Sequence, residues 1–76
     1  MKKKLSHSIS LYSKREKDIL RYFSIKEYNI DNVTEYCSSS MMPLVVVYFY
    51  LYKNGEEDAR NHMERLAEYY DIEVDV

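Results

Sequence analysis

The chain has 76 residues, a net charge of −2, one cysteine, one glycine and one proline, with 46% hydrophobic and 32% charged residues. That length allows one domain and a core of marginal size, which oligomerisation often supplements. The balance of apolar and charged residues excludes a disordered chain, Cys37 alone excludes an internal disulfide and points to a reducing, cytoplasmic setting, and the apolar run Met41–Tyr52, about 18 Å long as a helix, is too short to cross a membrane core of about 30 Å.

Residues 1–4, with Lys2, Lys3 and Lys4, read as a basic N-terminal tail, and residues 5–76 as the domain. LSHSISLY (5–12) alternates: Leu5, His7, Ile9 and Leu11 fall on one side, Ser6, Ser8, Ser10 and Tyr12 on the other, the period of a half-buried strand. Ser13 and Glu16 have the spacing of a capping box opening a helix over 14–28. Ile19, Leu20, Phe23 and, at the edge, Tyr22 make its apolar stripe, and Lys14, Arg15, Lys17, Arg21 and Lys26 its wet side. Asn29-Ile30-Asp31-Asn32 is turn chemistry. Residues 32–39 alternate weakly, with Val33, Glu35 and Cys37 on one face and Thr34, Tyr36 and Ser38 on the other, and suit an edge strand.

Ser38-Ser39-Ser40 and Met41-Met42-Pro43 read as a connection. The run Leu44–Tyr52 holds three consecutive valines and four aromatics, which favour a strand. Asn54-Gly55 supplies a turn, and 56–70 form a second helix, with Ala59, Met63, Leu66, Ala67 and Tyr70 as its stripe. Ile72, Val74 and Val76 alternate with acids as a last short strand. The order β-α-β-β-α-β predicts an α+β, ferredoxin-like fold: a four-stranded antiparallel sheet with two helices on one face. Its covered face would hold Leu5, Ile9, Leu11, Val33, Cys37, Val45, Val47, Phe49, Leu51, Ile72, Val74 and Val76. Its open face would carry serines with Tyr12, Tyr36, Val46, Tyr48, Tyr50 and Tyr52.

In this layout the chain resembles a small ACT-type regulatory domain. LRYFSIKEYNIDNV resembles that family's first helix and the turn into its second strand, PLVVVYFYLYKNG its third strand, and EEDARNHMERLAEYYDIEVDV its last helix and strand. The resemblance implies a non-catalytic module that pairs as a homodimer. ACT domains bind small effectors through a loop with a glycine shortly before a leucine; here Asp18 stands near that position, so the resemblance does not extend to amino-acid sensing.

The tyrosine face is the first candidate site. Tyr12, Tyr36, Val46, Tyr48, Tyr50 and Tyr52 would offer apolar area with polar tips, a composition suited to protein contact, and less so to stacking on nucleic-acid bases. Lys3, Lys4, Lys14, Arg15, Lys17 and Arg21 form a second set that could contact an anion. Residues 1–26 carry eight Lys/Arg against Glu16 and Asp18, whereas 56–76 carry eight Asp/Glu against Arg60 and Arg65, so the two ends could instead neutralise each other within the fold or a dimer. His7, His62 and Cys37 lack metal-ligand spacing, and no nucleophile has an assignable base. No cofactor, metal or catalytic residue is expected.

The function these readings support is a non-catalytic interaction module, an inhibitor or adaptor that touches a protein partner through the Tyr/Ser face. An alternative is a ribbon–helix–helix DNA-binding transcriptional regulator. LSHSISLY would be its ribbon and 14–26 its first helix, and a second helix would run Met41–Asn54, opened by Ser40 and ended by Gly55. A second alternative is an effector-binding, ACT-like sensor.

Overall fold

A computed structural model describes residues 2–76 of the chain. Five α-helices follow one another: α1 (Leu5–Leu11), α2 (Glu16–Ile25), α3 (Ile30–Ser40), α4 (Leu44–Lys53) and α5 (Ala59–Tyr69). A 3-10 turn, Ser13–Arg15, leads into α2. Two strands, β1 (Lys3–Lys4) and β2 (Ile72–Glu73), pair in parallel, Lys3 opposite Ile72 and Lys4 opposite Glu73. The ferredoxin-like α+β expectation is therefore corrected. The described residues contain no four-stranded antiparallel sheet, and the ACT-like layout drawn on that sheet is absent with it.

The error lies in three elements taken as strands. In α4, six of ten residues are buried (Val45, Val46, Val47, Tyr48, Tyr50 and Leu51), and they point to every side of the helix. A helix that is apolar all round must be enclosed. Helix α5 covers α4 most extensively, and α1, α2 and α3 close the remaining sides. Placing a valine or aromatic residue in a helix costs about 0.5 kcal/mol against alanine. Burying its side chain contributes about 1.5–3 kcal/mol, so enclosure outweighs propensity.

The ends of α4 are marked as clearly as its middle is ambiguous. Pro43, with φ −65° and ψ 135°, precedes the first turn, where a missing N–H does no harm. At the other end Gly55 takes φ 116°. The Gly55 N–H donates to the Tyr52 carbonyl at 3.2 Å and the Glu56 N–H to that of Leu51 at 3.0 Å, the paired bonds of a Schellman cap. Asn54-Gly55 thus ends a helix, as the ribbon–helix–helix alternative expected of it, instead of turning from a strand into the helix expected over 56–70. The opening that alternative placed at Ser40 is displaced to Leu44.

Helix α3 is capped by Asn29, whose side chain accepts the Asn32 N–H at 2.8 Å, while Asn32 Nδ2 donates to the Glu27 carbonyl at 2.7 Å. Val33, Tyr36 and Cys37 form its buried edge at helical spacing. It ends on Met41, which is left-handed at φ 58°, and the Met42 N–H reaches back to the Cys37 carbonyl at 3.1 Å. From α1 the inward residues are Leu5 and Ile9, with Tyr12 at its C-cap, spaced four and three apart. The alternation of LSHSISLY is overridden: Leu11 is 68% exposed and His7 is exposed. Val76, also expected in the core, is 54% exposed.

Helices α2 and α5 form where the spacing predicts them, within shorter limits than 14–28 and 56–70. The capping box does not form, since the N-cap side chains at Tyr12 and Arg15 make no bond and Glu16 instead faces Lys53 at 3.5 Å and Asn54 at 3.1 Å. Residues 1–4 were expected to be a free tail. Met1 lies outside the described residues, and Lys3 and Lys4 are strand β1.

Candidate functional site

The tyrosine set does not form a surface, because the sheet that would display it is absent. Val46 is wholly buried, and Tyr36, Tyr48 and Tyr50 retain 7%, 4% and 2% of their exposure. Tyr12 and Tyr52 are half-buried against the same core. Each phenol is placed as a structural group. Tyr50 Oη donates to the Ile9 carbonyl at 2.9 Å, tying α4 to α1. Tyr48 stacks on His62 with ring centres 4.8 Å apart, tying α4 to α5. Tyr36 packs against Tyr22 and Phe23 of α2, at 4.9 and 5.9 Å. Tyr52 accepts a bond from Arg60 Nη1 at 3.0 Å, and the same guanidinium lies over its ring.

Burial raises the pKa of the Tyr36, Tyr48 and Tyr50 phenols, because a phenolate would lose its hydration there. Tyr28 is pushed up to about 12, first by burial and then by the nearby charges of Asp58, Tyr48 and Glu56. Burial alone pushes the Cys37 thiol up to about 11, so it is protonated at neutral pH and a poor nucleophile. The Ser39 and Ser40 hydroxyls donate to the Tyr36 carbonyl, the local bonding of helix-end serines.

The basic set divides into two. Lys3 and Lys4 lie on β1, beside the acidic C-terminal segment. Lys2 pairs with Asp71 at 3.4 Å, and Asp75 has its carboxyl lowered by the Ser6 hydroxyl and N–H first, with a smaller contribution from Lys4. Here the lysine-bearing start lies beside the acidic end, and one ion pair, Lys2–Asp71, joins them. Lys14, Arg15, Lys17 and Arg21 lie away from that segment, in the 3-10 turn and α2. All four are exposed, and none lies within ion-pair distance of a carboxylate among the described residues, whose pairs are Lys2–Asp71, Lys53–Glu16 and Arg60–Glu64.

Helix α2 arranges these cations. Its buried Ile19 and half-buried Tyr22 and Phe23 pack into the core, and Glu16 and Leu20 are half-buried beside them. Lys17, Arg21 and Ile25 then follow one another at four-residue steps along the outer side, and Lys14 precedes them in the 3-10 turn. Ile25 is 80% exposed, and Ile30, just past the connection to α3, is 60% exposed. These isoleucines were not singled out in the sequence. The signal was present, since Ile25 stands four residues after Arg21, on the wet side of the helix and away from the Ile19 stripe.

Two clefts of about 580 Å³ each mark the surface. One lies among Lys3, Ser8, Leu44, Tyr70 and Ile72, the other among Tyr28, Asp31, Asp58 and His62. Asp31 and Asp58 stand at the N-terminal ends of α3 and α5, where carboxylates complement the helix dipole. Among the described residues no three His, Cys, Asp or Glu side chains converge to hold a metal, and no helix is long and apolar enough to cross a membrane. Comparison of the chain with protein-family models, with curated proteins and with solved structures returns no match.

Proposed function

We propose that the chain is a non-catalytic binding module that docks on an acidic protein surface through the outer stripe of α2. The observation that carries this reading is the composition of the stripe: Lys14, Lys17 and Arg21 exposed and unpaired, with Ile25 80% exposed one turn beyond. An apolar anchor beside a charged rim is the anatomy of a protein contact, and unpaired cations steer an acidic partner onto it. A nucleic-acid duplex fits less well. The chain carries a net charge of −2, and of LSHSISLY (5–12), the ribbon of a ribbon–helix–helix regulator, Leu5–Leu11 is helical. The protonated Cys37 thiol and the backbone-bonded serines support a non-catalytic role.

Titration of the isotope-labelled protein with a poly-glutamate peptide tests the site. Amide shifts are expected at residues 14–26, weakening as salt is added. Lys17→Glu combined with Arg21→Glu, both exposed positions, is expected to weaken binding by about tenfold or more. Shifts centred elsewhere, or binding indifferent to the double variant, would remove the reading. Tighter, steeply salt-dependent binding to random duplex DNA would transfer the stripe to nucleic acid.

A further inference from the structure

The C-terminal segment, residues 71–76, is fastened by contacts with residues 2–6 and by Ile72 and Val74, which pack half-buried against the core. Strands β1 and β2 pair over two residues each, and no third strand covers either outer edge among the described residues. Lys2 meets Asp71 at 3.4 Å. The Asp75 carboxylate accepts the Ser6 N–H at 2.8 Å and the Ser6 hydroxyl, supplying to α1 the N-terminal cap that Lys4 does not. The joint leading to this segment is strained. Just past the C-cap of α5 at Tyr70, Asp71 is left-handed at φ 57°, a conformation that a residue with a Cβ adopts at a cost. Tyr69 and Tyr70 pack edge to face at the same joint and are 80% and 59% exposed.

We infer that two copies of this chain exchange their C-terminal strands, residues 72–76 of each pairing with β1 of the other. The bonds of the clasp are the same whether made within one chain or between two, which is why terminal strands exchange readily. The two forms differ at the joint: exchange releases Asp71 from the left-handed region and brings a second copy towards Tyr69 and Tyr70. Charge selects this mode over simple edge pairing. A lysine-bearing β1 accepts an acidic strand, and Ile72-Glu73-Val74-Asp75 is one. Two β1 edges side by side would set lysines against lysines, and two β2 edges carboxylates against carboxylates.

The test uses full-length chains, one preparation carrying Lys3→Cys and another Ile72→Cys, mixed, refolded together and oxidised. The register of the ladder places these positions side by side, so exchange yields a disulfide-linked pair with one chain of each kind. Its yield is expected to fall about fivefold per joint with Asp71→Gly, which accepts the left-handed turn, and to rise with Asp71→Val, which resists it. Lys2→Ala removes an ion pair common to both forms and is expected to change neither yield nor mass. A monomeric mass at every concentration with no linked pair overturns the proposal. So does a dimer in which the two cysteines fail to link, since its interface would lie elsewhere.

Discussion

Asp75 and Ser6 stand 69 positions apart in the chain, yet one carboxylate caps the first helix. The carboxylate is largely open to solvent; the two bonds donated by Ser6 hold its pKa below the ordinary value of 3.8, outweighing a smaller opposing effect of desolvation. A carboxyl with a depressed folded pKa stabilises the fold above the unfolded value, and the stabilisation is lost as pH falls through the folded one. Asp75→Ala is accordingly expected to lower the thermal midpoint at neutral pH, with the gap to the unaltered protein narrowing as pH falls below 3.8. A gap constant across that range would show that the carboxylate is not the cap. Nothing near Asp75 announces this role, because a residue beside the end of a strand finds its partner only when the chain closes.

At the scale of elements, Met41 shows how closely α3 and α4 are joined. Three residues, Met41-Met42-Pro43, connect the helices, and the reversal requires Met41 to be left-handed. Met42, 4% exposed, packs with Cys37 beneath the turn. The Met41 side chain is 87% exposed and contributes no packing to offset its conformation. Met41→Gly is expected to raise stability by about 1 kcal/mol, read as a higher denaturant midpoint with unchanged slope. A loss of stability would mean that the unfolded-state freedom of glycine outweighs the relief. The amphipathic elements α2 and α5 were legible because charged residues mark their wet sides. Helix α4 was not: a run apolar in every direction has no period, so strand and helix read alike. Helices α1 and α3 misled for another reason. Over seven to eleven residues, Leu5/Ile9/Tyr12 and Val33/Tyr36/Cys37 satisfy a helical spacing while their neighbours also satisfy an alternating one.

For the whole molecule, the tyrosines set the alkaline limit. Burial raises Tyr36, Tyr48 and Tyr50, and Tyr28 reaches about 12, whereas unfolding returns each to the ordinary value of 10.0. A phenol raised in the folded state contributes stability that is complete below the unfolded pKa and declines as pH rises through the folded one. Stability is therefore expected to fall from pH 10 upward, with phenolate absorbance in the native protein lagging behind that of the nine tyrosines after denaturation. Coincident titration of native and denatured protein would contradict their burial. Charge is organised on the same scale. Closing β1 on β2 places the lysine-rich start beside the acidic end, while Lys14, Lys17 and Arg21 form a separate exposed basic stripe without ion pairs among the described residues.

Some features follow from the order of residues alone: two amphipathic helices, a break at Asn54-Gly55 and the opposed charge of the two ends. Tertiary structure decided which regular form the remaining apolar segments take, and with it the fate of the candidate sites. Tyr36, Val46, Tyr48 and Tyr50 became core, while Lys14, Lys17, Arg21 and Ile25 remained surface. The reason is one of magnitude. Local preference separates helix from strand by about 0.5 kcal/mol per residue, whereas enclosing a valine or aromatic side chain contributes about 1.5–3 kcal/mol. The conformation that lets four neighbouring helices enclose α4 therefore prevails over the one its valines prefer locally.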